Sequence, residues 1–295
     1  MNILLFGKNG QVGWELQRAL APLGKLTVVD RQSTDYCGDF ENPAGIAETV
    51  RKLNPNVIVN ATAYTAVDKA ETEQDKAHVV NATSIEALAQ AAEEIGAWLV
   101  HYSTDYVFDG SGDRPWREDD ATAPLNVYGQ SKLEGEQAIV RHMSRYLIFR
   151  TSWVYAAKGN NFAKTMLKLA KDRDSLSVIN DQFGAPTGAE LIADCTAHAI
   201  RVALKSNNLA GIYHLIASGE TTWHAYASKV IEFAKAHGVE LQVQAINAVP
   251  TSAFPTPAKR PANSRLNTEK FQQAFGLNLP DWTVGVERML LETLI

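Results

Sequence analysis

The chain has 295 residues, of which 45% are hydrophobic and 21% charged, and a formal net charge of −5. These values are typical of a globular protein of one or two domains, and the acidic balance argues against nucleic-acid or anionic-membrane partners. Two cysteines, Cys37 and Cys195, are too few for a disulfide framework. The sequence shows no signal peptide and no apolar run that spans a bilayer, so we expect a cytoplasmic protein.

Short apolar runs alternate with amphipathic segments through the first half of the chain. The predicted elements are strand 2–7, helix 11–23, strand 26–30, helix 43–54, strand 56–62, helix 76–96, strand 98–104, helix 128–142 and strand 146–151. Nearly continuous apolar strands that alternate with helices predict an α/β fold, a Rossmann-type doubly wound parallel sheet with helices on both faces.

The pattern loosens after residue 150. The predicted elements there are helix 162–171, strand 176–181, helix 191–206 and strand 211–218, and proline and turn signals then multiply towards the C-terminus. We predict a Rossmann domain over 1–150, to which segments around 175–218 return, and a smaller C-terminal lobe over 151–295.

A glycine-rich loop, GKNGQVG (7–13), joins the first strand to the first helix. Gly7 permits a tight turn, Gly10 lets the backbone approach a pyrophosphate, and Gly13 lets helix and strand pack closely. The phosphates would lie at the positive N-terminus of the helix. We therefore expect a dinucleotide at this loop, with further contacts from Asn9, Gln11 and Val12.

The end of the second strand carries Asp30 and Arg31. An acidic residue at this place binds the adenine-ribose hydroxyls of NAD, whereas an arginine accommodates the 2′-phosphate of NADP. The pair favours NADPH and leaves NADH open, and Arg31 is alternatively a solvated loop charge. Asp39 and Phe40 follow a stretch with the character of a third strand and either line the adenine pocket or form an ordinary loop.

A second set of polar residues points to redox chemistry. Tyr128 and Lys132 lie four apart on a predicted helix and so share one face. A lysine ammonium there would lower the pKa of the tyrosine and make it a proton donor to a carbonyl. Thr104 ends the strand 98–104, and ligands of open α/β sheets bind at such carboxyl ends. After the strand 56–62, we expect Thr62, Ala63 and Tyr64 at the cofactor and Val67 nearer the substrate.

With Thr104, Tyr128 and Lys132 in this arrangement, the chain resembles the extended short-chain dehydrogenases/reductases and, within them, the dTDP-4-dehydrorhamnose reductase family. The segments that carry the resemblance are GKNGQVG (7–13), NATAYTAVDKAE (60–71), STDYVFDG (103–110), YGQSKLEGE (128–136), RTSWVY (150–155), NDQFGAPT (180–187) and KRPANSRL (259–266). The resemblance implies NADPH-dependent reduction of the C4 ketone of a dTDP-4-keto-6-deoxy-L-sugar to dTDP-L-rhamnose, a precursor of bacterial surface polysaccharide. It also implies that Lys132 binds the nicotinamide ribose.

The resemblance bears on Asp105 and Tyr106 as well. Related nucleotide-sugar 4,6-dehydratases carry Thr-Asp-Glu at this strand end and use an acid and base pair to eliminate water. Tyr106 replaces that glutamate, so we expect reduction without dehydration. Asp105 and Tyr106 are expected at the substrate, although Tyr106 is alternatively a core-filling aromatic.

Other residues allow two interpretations. Trp153 either stacks on the sugar or packs between the lobes, and Arg260, with Lys259, either binds the diphosphate or belongs to a rigid solvated loop. Some members of the family carry magnesium near a subunit contact, and the sequence leaves both Mg²⁺ and a homodimer open; Glu15 and Glu190 are more simply surface residues. The rival functions are another nucleotide-sugar reductase or epimerase and a non-catalytic nucleotide-binding subunit.

Overall fold

A computed structural model describes residues 1–294 of the chain. The strands are β1 Asn2–Phe6, β2 Lys25–Val29, β3 Val57–Asn60, β4 Trp98–Thr104, β5 Tyr146–Thr151, β6 Val154–Tyr155, β7 Ser175–Ile179, β8 Phe183–Gly184, β9 Thr187–Gly188, β10 Gly211–His214, β11 Thr221–Thr222 and β12 Ala245–Val249. The helices are α1 Gln11–Leu20, α2 Pro43–Leu53, α3 Val67–Ala70, α4 Gln74–His78, α5 Ser84–Glu94, α6 Val127–His142, α7 Phe162–Asp172, α8 Ala189–Ala203, α9 Trp223–Ala236, α10 Glu269–Phe275 and α11 Trp282–Leu294.

The main sheet has six strands in the order β10-β5-β4-β3-β1-β2, and every neighbouring pair is parallel. One buried apolar cluster joins the sheet to α1, α8 and α10, and a second joins its other face to α2, α5 and α6. This confirms the predicted doubly wound α/β sheet. The strand order reverses between β1 and β3, which is where ligands bind in such sheets.

The five strands predicted at 2–7, 26–30, 56–62, 98–104 and 146–151 form, and their ends agree with the structure to within two residues. The helix predicted over 76–96 is divided into α4, a π-helical turn over Val79–Thr83, and α5. The third strand expected before Asp39 is wrong, because 31–42 forms turns and bends that connect β2 directly to α2.

The second lobe is built around α7, α9 and α11, which share a buried cluster that includes Tyr226 and Trp282. Strand β10 returns to the main sheet, and α8 packs on α1. In contrast, β7 pairs with β12 outside the main sheet. The prediction that segments around 175–218 return to the Rossmann domain is therefore wrong for this strand. The division at residue 150 stays a prediction.

The C-terminal third contains helices that the sequence analysis missed. Helix α9 has an N-terminal signal, since the Thr222 side chain accepts a hydrogen bond from the backbone N–H of Ala225. Among residues 1–294, no helix has both the length and the apolar character needed to cross a membrane.

Candidate active site

Two adjoining cavities open at the carboxyl edge of the main sheet, where the strand order reverses. Their volumes are about 410 and 500 Å³, and Gly10, Ala61, Thr62 and Ala63 line both. The first is lined by the predicted residues Gly7, Asn9, Gly10, Asp30, Arg31, Asp39, Phe40, Thr62, Ala63 and Tyr64. The second is lined by Gln11, Val12, Val67, Thr104, Asp105, Tyr106, Tyr128, Lys132 and Trp153.

The glycine loop has the geometry expected of a phosphate-binding turn. Gly7 has a φ of +87°, a conformation that residues with a side chain rarely adopt. A Cβ at Gly13 would lie 2.0 Å from the carbonyl oxygen of Gly7, so glycine alone permits this approach of α1 to the loop. Gly13 lines neither cavity and therefore acts through packing, as predicted.

Charged side chains surround the outer end of the first cavity. The Asp30 carboxylate accepts hydrogen bonds from the Asn9 side chain and from the Ser33 hydroxyl, the latter at 3.0 Å. The Arg31 guanidinium is 3.0 Å from Glu41 and 3.5 Å from Asp39. Arg31 thus lies in the cavity wall, although carboxylates already neutralise it. Phe40 is buried beneath, edge-on to Phe6.

Thr104 and Tyr128 meet at the end of β4. The Thr104 hydroxyl donates to the Asp105 carboxylate at 3.1 Å and accepts from the backbone N–H of Tyr106 at 3.2 Å. Burial raises the pKa of Tyr128 to about 12, and a hydrogen bond with the Thr104 side chain offsets part of this rise. Burial likewise raises the pKa of Asp105 to about 6.

The pKa of Tyr128 is raised, whereas the spacing predicted that Lys132 would lower it. The lysine is buried, its Nζ donates to the carbonyl of Tyr102 at 2.6 Å and lies 3.2 Å from Nε2 of His101. Burial lowers the pKa of Lys132 to about 8, while Glu136 acts to raise it. Tyr128 therefore keeps its proton at neutral pH, because desolvation outweighs any attraction from the lysine.

Six buried polar side-chain atoms in the second cavity have no hydrogen-bond partner within the described chain. They are Oε1 of Gln11, Oγ1 of Thr62, Oγ of Ser103, Oδ2 of Asp105, Oγ1 of Thr151 and Oγ of Ser152. Buried polar atoms are normally paired, and a group without a partner needs an explanation. Their concentration in one cleft beside the glycine turn fits a polar ligand such as a dinucleotide.

The second lobe closes the outer side of the cleft with aromatic rings. Trp153 stacks on Trp223 with 3.6 Å between ring centroids, and its backbone has a φ of +49°, which is rare for a bulky residue. A Cβ at Gly184 would lie 2.9 Å from the Trp153 ring. Trp153 thus packs between the lobes, as one of its two interpretations predicted, and it also lines the cleft; its stacking on a sugar stays a prediction.

A third cavity of about 310 Å³ continues from the cleft past Tyr106 and Trp153. Arg260 lines it and forms a two-pronged ion pair with Asp68, with distances of 2.9 and 3.0 Å. This pair joins α3 to the loop 259–266 across the cleft. Lys259 is exposed and lines none of the three cavities.

Some residues of the site were missed by sequence reasoning. Trp223 belongs to the unpredicted helix α9, and Asn60 and His101 lie inside strands that were interpreted as apolar. His101 does interrupt the run AWLVHY with a polar side chain, which is a signal for a buried partner.

The structure gives no support to a magnesium site. Within residues 1–294, no cluster of three or more histidine, cysteine, aspartate or glutamate side chains is arranged to hold a metal ion. Glu15 is 3.4 Å from Arg18, and Glu190 is 3.7 Å from Arg288.

A glycine turn at the switch point of a parallel sheet, with Thr104, Tyr128 and Lys132 beside it, defines an oxidoreductase of the NAD(P)-dependent class. The whole chain, residues 1–295, matches the family described as RmlD substrate binding domain. It is 70% identical over 292 residues to the dTDP-4-dehydrorhamnose reductase of Escherichia coli K12, with coverage of 99% of this chain and 98% of the relative.

Solved structures agree with this assignment. The dTDP-4-dehydrorhamnose reductase of Clostridium acetobutylicum is 33% identical with a TM-score of 0.89 and full coverage of both chains. That of Bacillus anthracis, solved in complex with NADP, is 35% identical with a TM-score of 0.87 and 99% coverage of each. The chain belongs to the dTDP-4-dehydrorhamnose reductase family, which confirms the resemblance drawn from its motifs.

Proposed function

We propose that this chain reduces the C4 ketone of dTDP-4-dehydro-L-rhamnose with NADPH to give dTDP-L-rhamnose, with Tyr128 as the proton donor. The observation that carries the proposal is the position of Tyr128 and Thr104, which meet at a strand end inside a cleft lined by unpaired polar atoms. The high pKa of Tyr128 supports the donor role, because a phenol that stays protonated can supply a proton to an oxyanion.

Thr104, Tyr128 and Lys132 each have a separate role in the proposed reaction. Reduced nicotinamide, when bound, supplies the hydride that adds to C4. The Thr104 hydroxyl turns its one proton from Asp105 to the ketone oxygen and stabilises the negative charge that develops there. Tyr128 transfers its proton to the same oxygen. One hydride and one proton convert the ketone to the alcohol. Lys132 contacts the nicotinamide ribose and, in its charged form, lowers the proton affinity of Tyr128.

The cavities beyond the reacting centre suit a nucleotide sugar. Trp153 and Tyr106 can pack on the sugar, and the third cavity extends the cleft between the lobes in the direction of Arg260. We place the diphosphate near Arg260, since a guanidinium forms charge-assisted hydrogen bonds with phosphate oxygens. Asp68 holds the guanidinium in position.

A substrate panel tests the proposal. We expect rapid NADPH oxidation with dTDP-4-dehydro-L-rhamnose and slow oxidation with its D-configured 4-keto precursor. A higher kcat/KM for another 4-keto nucleotide sugar would assign a different reductase of the superfamily.

We also expect no dehydration of dTDP-glucose. Burial raises the pKa of Tyr106, so its phenol stays protonated and cannot act as the base that elimination of water requires. Formation of a 4-keto-6-deoxy product would contradict the interpretation of Tyr106.

Replacement of Arg31 by alanine tests the cofactor. We expect Arg31 to leave Glu41 and bind the 2′-phosphate when NADPH is present. Arg31→Ala then removes a charged hydrogen-bonding partner of the phosphate, which costs roughly 1.5–3 kcal/mol of binding free energy. This corresponds to about a ten- to hundredfold increase in the Kd for NADPH. The Kd for NADH should hardly change. Arg51→Ala is a matched control, since Arg51 is also an exposed arginine paired with a carboxylate but lies outside both cavities. Equal losses for both cofactors would show that Arg31 only shapes the loop.

A further inference from the structure

The outer wall of the first cavity holds one carboxylate between two cations. Oε1 of Glu41 lies 3.0 Å from the Arg31 guanidinium and 3.0 Å from Nζ of Lys76. Arg31 and Glu41 belong to the segment that connects β2 to α2, whereas Lys76 is on α4. All three residues line the cavity. A single carboxylate oxygen thus occupies a position between two cations that an oxygen of a phosphate could also take.

The charges along this wall balance before any ligand binds. Three carboxylates pair with three cations at distances of 3.0–3.6 Å: Asp30 with Lys8, Asp39 and Glu41 with Arg31, and Glu41 with Lys76. A phosphate monoester adds about −1.5 to −2 charges at neutral pH. A phosphate that binds Arg31 while Glu41 remains there would be repelled by the carboxylate. One anion must therefore leave the guanidinium before the other can use it fully.

Glu41 is the carboxylate that can leave. Asp30 and Asp39 each accept a hydrogen bond from a backbone N–H group of their own loop, at 3.1 Å, which holds them in place. The Glu41 carboxylate is 35% exposed, and within residues 1–294 its polar partners are the two cations. When Arg31 turns away from it, Glu41 still pairs with Lys76.

We propose that Glu41 competes with the 2′-phosphate of NADPH for the Arg31 guanidinium and is a specificity-determining residue of the cofactor site. Lys76 stays paired with Glu41 after the guanidinium has left, and so lowers the cost of the exchange. NADH carries no 2′-phosphate, so Glu41 keeps both cations when NADH binds. The competition therefore weakens the binding of NADPH and leaves that of NADH unchanged. This inference rests on the proposed use of NADPH.

The exposure of the side chains sets the size of the effect. The Arg31 side chain is 64% exposed and that of Lys76 is 40% exposed, so both can change partners without repacking of the core. Ion pairs this close to solvent are individually weak. We therefore expect changes of a few-fold in affinity for each pair that is lost.

Glu41→Gln removes the charge and keeps the shape of the side chain. We expect the Kd for NADPH to fall about two- to tenfold, because Arg31 is then free before the cofactor arrives, and the Kd for NADH to hardly change. Equilibrium titration with each cofactor, followed by nicotinamide fluorescence, measures both constants. An unchanged or higher Kd for NADPH would overturn the proposal, since a higher value would mean that Glu41 holds Arg31 in place for the phosphate. The titration contains no sugar, so failure of ketone reduction would leave it unaffected.

Asp35→Asn is the matched control for charge. Asp35 is an exposed carboxylate of the same loop and lines neither of the first two cavities. In the described part of the chain Arg31 pairs with Asp39 and Glu41 but not with Asp35. Both dissociation constants should stay at their wild-type values. An equal fall in the Kd for NADPH in the two variants would show a general effect of loop charge and would overturn the proposal.

Combined variants test whether the effect depends on Arg31. In Arg31→Ala, the additional change Glu41→Gln should no longer improve NADPH binding, because no guanidinium remains to be released. Lys76→Gln alone should raise the Kd for NADPH about two- to fivefold, because Glu41 then pairs with Arg31 alone. The same change should have no effect in Glu41→Gln. A gain that persists without Arg31, or a loss from Lys76→Gln that persists without Glu41, would overturn the proposal, since these charges would then act on the phosphate directly.

Discussion

Tyr128→Phe is expected to lower kcat for ketone reduction by roughly 10²–10⁴-fold, the usual contribution of a positioned acid. The ring remains to fill its place against Tyr106, whose centroid is 5.6 Å away, so the Kd for NADPH should change little. The loss should fall on kcat and kcat/KM alike, because the proton is needed only in the transition state. Single-turnover NADPH oxidation and equilibrium cofactor binding measure the two quantities separately.

Tyr226→Phe is the matched control for this substitution. Tyr226 is a buried tyrosine of the second lobe that lines neither of the first two cavities. Its kcat should stay within a few-fold of wild type. Similar activity in the two variants would remove Tyr128 from the proposed mechanism.

Glu136→Gln should strongly destabilise the fold. Glu136 accepts three hydrogen bonds from the Arg150 guanidinium, at 2.7, 3.0 and 3.3 Å, and both side chains are almost fully buried. Removing one partner leaves an uncompensated buried charge, which costs about 3–5 kcal/mol in the free energy of unfolding. Denaturant titration of the two proteins measures the difference. Because the pair joins α6 to β5, it also holds Tyr128 and Lys132 against the sheet.

Two further variants separate charge burial from a general effect on helix α6. Glu134→Gln lies two residues away and removes a partly exposed pair with His78, so the expected loss is within about 1 kcal/mol. The double replacement Glu136→Leu with Arg150→Met should recover much of the stability, because apolar residues need no partner. A loss in Glu136→Gln no larger than in Glu134→Gln would show that the buried pair contributes little.

Much of the fold followed from local patterns. The predictions for β4 over 98–104 and β5 over 146–151 agree with the structure residue for residue, since an unbroken apolar run between turn signals has few alternative conformations. Helices α9 and α11 escaped prediction, because they acquire their apolar partners from segments far apart in the chain, such as Tyr155 and Trp282. Periodicity within a short window does not reveal such partners.

The sequence by itself determined the identity of the chemical groups and their order along the chain. The glycine turn at 7–13 and the four-residue spacing of Tyr128 and Lys132 are local features, so they could be recognised without any long-range contact. Only the tertiary structure decided how those groups behave. Burial raises the pKa of Tyr128 and lowers that of Lys132, against the expectation from spacing alone. The contact of Lys132 with His101, and of Trp153 with Trp223, depends on residues 31 and 70 positions apart in the chain. Desolvation and such contacts arise only when distant segments pack together, and in this cleft they outweigh the effect of neighbours along the helix.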